Sequence, residues 1–372
     1  MNASLNKELM AVKWGEFKLV DVFAVKNTSN ILAYDIVEDS GTVPYLCASS
    51  ENNAVSAYID YDKKYLEKGN CIFIGGKTFV VTYQEKDFYS NDSHNLALYL
   101  REGVQSKAVL LYMVSCISKS LFQKYSWGNS ISKAKIQNDI LTLPITDDGA
   151  IDFGFMESFI AELEAERVAE LSAYLTVSGL DNYELSNDEM AIIERYKKQQ
   201  IPFSEFEFIK IFNNIRQGRR LKKDDQLPGN IPFVMSGTTN TGVIGYISNP
   251  VARFPKNSIT IDIFGNSFYR NYAFGAGDDT GVYWNTEKEY SRTCMLFFAA
   301  AMGRSLRGKY SYGKKLRSSQ SIHFKMQLPT KDGKPDYDTM AALISAVQKL
   351  VIKDVVLYAD RKIETTKAIT KH

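Results

Sequence analysis

Val43-Pro44-Tyr45, followed by Ser49, Asn52, Val55, Tyr58 and Ile59, returns as Ile231-Pro232-Phe233 with Gly237, Asn240, Val243, Tyr246 and Ile247. Every step is displaced by 188 residues. Downstream, Ser120-Leu121 and Lys124-Tyr125-Ser126-Trp127-Gly128 return as Ser305-Leu306 and Lys309-Tyr310-Ser311-Tyr312-Gly313, and Leu143-Pro144 returns as Leu328-Pro329, all displaced by 185. Asp148-Gly149 and Met156 match Asp332-Gly333 and Met340 at 184. A register that drifts so little over so long a stretch means that one domain occurs twice, each time with the same kind of tail. The repeat is far too long for a solenoid unit, so this is a duplicated domain.

The chain has 372 residues, enough for two such domains to bury a core each. No stretch approaches the apolar length of a membrane helix. The segment from Met1 to Lys13 has no run that reads as a signal peptide. Cys47, Cys71, Cys116 and Cys294 form no C-x-x-C pair and no zinc spacing, and three of them sit in apolar runs. They read as reduced thiols in a cytoplasmic protein. The net charge of +2 conceals a strong asymmetry. Residues 201–330 carry 18 basic and 9 acidic side chains, whereas residues 151–200 carry 4 and 11. A locally basic domain can attract phosphate within a near-neutral chain.

Each copy opens on an amphipathic segment, Phe17, Leu19, Val22 and Phe23 in the first and Phe206, Phe208, Ile211 and Phe212 in the second. Short β-type runs punctuated by Gly, Asn, Asp and Ser follow: Val43 to Leu46, Ala54 to Ile59, Cys71 to Ile74 and Phe79 to Tyr83. Their partners are Ile231 to Met235, Gly242 to Ile247, Ile259 to Ile261 and Ser267 to Tyr272. Ala108 to Tyr125 reads as a helix with Val109, Tyr112, Met113 and Ile117 on one stripe, and Cys294 to Tyr310 is its copy. The expected fold class is α+β: two tandem, homologous, mixed α/β domains, each followed by a long helix.

Those tails carry a different pattern. Met156, Ile160, Leu163, Arg167, Leu171 and Tyr174 form one seam; Met340, Ile344, Val347, Val351, Val355 and Tyr358 form another. Ser178-Gly179 is expected to stop the first helix, and a second helical piece is expected over Ser186 to Gln199, before Pro202. Neither seam can be buried alone, so the two are expected to pack against each other. A helix of about 25 residues is roughly 37 Å long, close to the roughly 34 Å of one turn of B-DNA. The boundaries follow as 1–150 and 201–334 for the domains, with helical spacers at 151–200 and 335–372.

The candidate chemistry is that of phosphate and base contact. Arg216, Arg219, Arg220, Lys222 and Lys223 form one cationic cluster. Arg304, Arg307, Lys309, Lys314, Lys315 and Arg317 form a second, interleaved with Tyr310, Tyr312 and Gly313. In the first copy Lys119, Lys124, Trp127, Lys133 and Lys135 hold the corresponding place. Asn52, Asn53 and Asn240 lie in equivalent polar loops, where an amide can grip adenine with two hydrogen bonds or simply form a turn. Gly75-Gly76-Lys77-Thr78 resembles the end of a phosphate-binding loop but lacks the earlier glycine, since position 71 is Cys71. No Asn-Pro-Pro-Tyr motif, cofactor-type Gly-x-Gly loop or H-E-x-x-H is present. His94, His323 and His372 have no triad context, and the matched Asp92 and Asp278-Asp279 read as loop structure. No catalytic or metal-ligating residue is expected.

Gly15-Glu16-Phe17 and Ser204-Glu205-Phe206, the stretch Ile231 to Asn240, the Lys-Tyr-Ser-aromatic-Gly motif and the Leu-Pro before each long helix resemble the DNA specificity (S) subunits of type I and type IIB restriction–modification systems. That resemblance implies two target recognition domains, each reading half of a bipartite, asymmetric sequence in double-stranded DNA. It implies an antiparallel helical coiled coil with pseudo-two-fold symmetry that sets the gap between half-sites. It also implies methyltransferase (M) or fused restriction–methylation partners, with or without a restriction (R) subunit. S-adenosylmethionine would be held by the partner, and this chain would hold no cofactor. Whether the partners are of type I or type IIB stays open. Two rival readings also remain: a free-standing nuclease or methyltransferase with an unrecognised site, and an adaptor that binds protein only.

Overall fold

A computed structural model describes residues 3–103 and 105–369. His372 lies outside the described residues. The chain divides into two compact units, the first running to Leu171 and taking in residues from Arg361 onward, the second spanning Ser172–Asp360.

In the first unit a four-stranded sheet is ordered Phe23–Asn27, Leu96–Leu100, Cys71–Gly75, Val80–Gln84, with every neighbour antiparallel. Its residues alternate between two buried faces, as successive side chains on a strand must. Ile72, Ile74, Leu96 and Leu98 join the main core, whereas Cys71, Phe73 and Ala97 join a second cluster with Leu46, Ala54 and Phe88. The main core is closed by helix Lys107–Ser120, whose Val109, Leu110, Met113 and Ile117 are buried. Ser106 caps that helix by accepting from the Val109 N–H at 3.3 Å. A smaller sheet joins Val55–Ile59, Val43–Leu46 and Tyr89–Ser90. Lys13–Lys18 pairs antiparallel with Ile140–Ile145.

The second unit repeats this topology. Its four-stranded sheet is ordered Asn214–Gln217, Thr280–Trp284, Ser258–Asp262, Ser267–Arg270. Helix Arg292–Leu306 covers it, capped by Ser291 accepting from the Cys294 N–H at 3.2 Å. Val243–Ile247, Pro228–Val234 and Phe274–Ala276 make the counterpart of the first domain's three-stranded sheet, here extended by Arg253–Phe254 as a fourth strand, and Phe203–Glu207 pairs with Lys325–Lys331. The duplicated mixed α/β fold expected from the repeat is therefore present. The amphipathic openings resolve into a strand, one helical turn and a second strand, as in Lys13–Lys18, Leu19–Val22 and Phe23–Asn27.

Two long helices follow the domains, Phe153–Val177 and Tyr337–Ile369. The first is rooted by Phe155 and Phe159, which pack edge-on against Tyr112 with ring centroids 6.0 and 5.6 Å apart. Gly179, at φ +64°, ends it where Ser178-Gly179 was expected to. The buried seams need correction, however. On the first helix Met156, Phe159, Val168 and Leu175 are buried, while Arg167 and Tyr174 lie exposed. On the second, Met340, Leu343, Ala346, Val356 and Ala359 are buried, while Val347, Val351, Val355 and Tyr358 are exposed. The covered face of the second helix therefore includes the small residues Ala346 and Ala359 rather than the bulkier Val347 and Tyr358.

Part of the cover is helix Asn187–Lys197, which packs Ile192 with Ile201 on Leu343. Ser186 and Glu189 form a capping box at its start. Glu189 also receives Lys349 Nζ at 2.8 Å and Ser345 Oγ at 2.6 Å. Burial alone would raise the Glu189 pKa. The bonds from Lys349, Ser345 and the Ser186 N–H outweigh it and hold the carboxyl down at about 2. Because the folded pKa lies below the unfolded one, this carboxylate stabilises the helix fully above about pH 4.5 and loses its contribution as pH falls toward 2. Amide exchange in residues 187–197 is expected to accelerate over that window, and Glu189→Gln is expected to remove that component.

Candidate nucleic-acid interface

In the second domain the ends of five strands meet at one edge. Gly218 follows Asn214–Gln217, and its N–H donates to Thr280 O at 2.9 Å. A Cβ there would lie 2.1 Å from Gly277 O, so only glycine allows this approach. The next residue, Arg219, donates its N–H to Ala276 O at 2.9 Å. From this anchor Arg219, Arg220, Lys222 and Lys223 project as exposed side chains, and Arg216 lies over the Trp284 ring at 5.8 Å.

The second cationic segment reaches the same edge. Arg317 Nη1 donates to Asp278 O, and Gln217 Nε2 donates to that oxygen at 3.0 Å. Gln217 Oε1 in turn accepts from the Ser318 N–H at 2.8 Å. Two clusters separated by about a hundred residues of chain are thus clipped to one carbonyl. Among the described residues no carboxylate pairs with Arg216, Arg219, Arg220, Lys222, Lys223, Arg307, Lys309, Lys314, Lys315 or Arg317. Tyr312 is 82% exposed on a two-residue turn closed by Ser311 and Lys314, with Lys315 Nζ 4.5 Å from its ring centroid.

The Asn240 loop stands at this edge as well. Ser236 N–H donates to Asp279 Oδ2 at 2.9 Å and Gly237 N–H to Asp262 Oδ2 at 3.1 Å. Asp279 therefore holds a loop, as its position in the repeat suggested. Asn240 is exposed; its Nδ2 donates to Val243 O at 3.3 Å, which leaves Oδ1 and one N–H open.

The first domain uses the corresponding residues differently. Asn52 is exposed and donates to Val55 O at 3.0 Å, matching Asn240. The Asn53 amide nitrogen is instead spent on Tyr83 O at 3.0 Å. Lys124 pairs with the fully buried Asp139, which also accepts from Tyr125 OH at 2.7 Å. Lys135 turns back to Asn129 Oδ1 and Ser130 O. Lys133 is exposed, and Trp127 is 75% exposed on a turn equivalent to that of Tyr312. Gly75-Gly76-Lys77-Thr78 is the turn of an antiparallel hairpin, and Lys77 pairs with Asp92 at 2.8 Å. Burial would raise the Asp92 pKa, but Lys77 and the His94 N–H and ring hold it at about 2. Sequence reasoning missed the supporting groups, Gln217, Asp262 and Arg270, which carry no motif.

A family model for the type I restriction modification DNA specificity domain matches the chain twice, over residues 11–173 and 204–356. The chain belongs to this family. It is a DNA specificity subunit of a restriction–modification system, a non-catalytic component. It is 24% identical over 349 residues to the type II restriction enzyme BgcI specificity subunit S.BcgI of Heyndrickxia coagulans, with 92% of this chain and 96% of that protein covered. The crystal structure of the type I restriction–modification S subunit from M. genitalium shares the fold at a TM-score of 0.57 and 15% identity, covering 96% of this chain and 94% of that one. In type I restriction–modification complexes, S subunits bind DNA and assemble with modification and restriction subunits. Among the described residues no helix is long and apolar enough to cross a membrane.

Proposed function

We propose that each domain reads one half of a bipartite, asymmetric target in duplex DNA, in the cytoplasm, and that methylation and cleavage are performed by partner subunits. The reading rests on one observation: two unpaired cationic segments are gathered beside an open amide loop in the second domain. Arg and Lys would neutralise phosphates and fix the duplex, while Asn240 and Asn52 would meet base edges. The recognition domains would span 1–150 and 201–334. The spacers, 151–200 and 335–372, would set the gap and dock the methyltransferase, which would hold S-adenosylmethionine. The partners would be separate modification and restriction chains or a fused restriction–methylation chain. Co-purification separates these two arrangements.

Co-expression with the cognate methyltransferase, followed by genome-wide mapping of methylated adenine, tests this. The expected motif is two unlike short half-sites around a fixed unread gap. A single continuous motif, or none, would overturn the proposal. Removing one turn from both long helices takes out about 5.4 Å and is expected to shorten the gap by between one and two base pairs at about 3.4 Å each.

A further inference from the structure

The open loops share an unusual backbone. Asn52, Asn53 and Ala54 have φ of 48°, 53° and 69°; Asn240, Thr241 and Gly242 have 47°, 52° and 84°. Three consecutive left-handed residues persist only where the surroundings over-determine them. In both domains the hold comes from the same place. Gln84, the last residue of Val80–Gln84, is 4% exposed, and its Nε2 donates to Asn53 O at 3.0 Å. Arg270, the last residue of Ser267–Arg270, is 1% exposed. Its Nη2 donates to Thr241 O and its Nη1 to Thr241 Oγ1 at 3.0 Å. The two positions correspond. Gln84 lies opposite Cys71 and Arg270 opposite Ser258 in the matching strand pair, and Asn53 and Thr241 are each second in their left-handed run.

Arg270 is the more telling of the pair. Its remaining bonds go to Thr260 Oγ1 at 3.1 Å and Tyr272 OH at 3.2 Å, so a buried guanidinium is satisfied by neutral groups alone. Burying a charge without a counter-ion is unfavourable. The first domain holds its loop with a neutral amide, so the fold itself does not demand the charge.

We infer that Arg270 and Gln84 are specificity-positioning residues: each locks the loop that presents Asn240 or Asn52 into one base-reading conformation. This rests on the proposed function above. Neither side chain touches DNA. Losing the lock would free the loop to several conformations, while the exposed cations would still grip phosphate.

The test is the methylation map of the full subunit co-expressed with its methyltransferase, for wild type, Arg270→Met and Gln84→Met. Arg270→Met is expected to relax only the half-site read by the second domain, raising methylation at sites altered there by about tenfold, with the other half-site unchanged. Gln84→Met is expected to do the reverse. Arg270→Gln, which copies the neutral pin, is expected to keep both half-sites. A folded Arg270→Met protein with an unchanged motif would overturn the inference, as would relaxation of both half-sites together. If Arg270→Met does not fold, the neutral exchange at Gln84 decides in the first domain. Failure of the underlying reading is separate, since wild type itself would then give no bipartite motif.

Discussion

Replacing Arg219, Arg220, Lys222 and Lys223 together with alanine is expected to weaken DNA binding on the order of a thousandfold at about 0.1 M salt. Each neutralised phosphate releases condensed counter-ions and contributes about −0.9 to the slope of log affinity against log salt. Without these four cations the slope should therefore flatten by about 3.6. The four side chains are exposed and have no carboxylate partner among the described residues, so their removal should leave the melting temperature of the second domain nearly unchanged. The measurement is a salt titration of the full subunit on a labelled duplex. An unchanged slope would mean that these residues form only a solvated face, and the proposed interface would fall with them. Lys133, an exposed lysine of the first domain, is expected to flatten the slope by about 0.9 when replaced.

Much of this arrangement could be read from the residues, and the reasons are specific. The duplication was legible because Tyr45 and Phe233, Ile59 and Ile247, and Leu143 and Leu328 occupy equivalent structural positions, and burial constrains them alike. The helix start at Ser186 and the stop at Gly179 were legible because both depend on local chemistry. The central strands Leu96–Leu100 and Thr280–Trp284 were passed over. Buried on both faces, they show no polar–apolar alternation to mark them. The helix seams were misjudged because the buried positions include Ala346 and Ala359, which a stripe chosen for bulky apolar residues passes over. The loop pins were invisible for another reason: Gln84 and Arg270 differ chemically, and only their shared place opposite matched partners reveals a common task.

The same kind of divergence gives the second large effect. Lys124 and Lys309 are copies of one position, yet Lys124 closes on the buried Asp139 while Lys309 has no carboxylate partner among the described residues. The backbone explains the difference. Leu19 N–H donates to Asp139 O at 2.8 Å, and Phe208 N–H donates to Phe324 O at 2.7 Å, so Phe324 occupies the place of Asp139 in the second domain. With an aromatic ring there, no carboxylate among the described residues neutralises Lys309. Asp139→Ala strands the Tyr125 hydroxyl in the core and deprives Lys124 of its counter-ion. It is expected to destabilise the first domain by about 3 kcal/mol. For a domain of this size that is a fall in melting temperature of roughly 6–12 °C. Lys124→Ala leaves the buried carboxylate with Tyr125 as its remaining side-chain donor and is expected to act in the same direction. Lys309→Ala removes an exposed cation instead, so it should leave the melt unchanged and flatten the salt slope by about 0.9. Melting curves and salt titrations on the three variants separate the two roles. A lowered melting temperature for Lys309→Ala, or a flattened slope for Asp139→Ala in the folded protein, would show that the two lysines have not divided structure from DNA contact in this way.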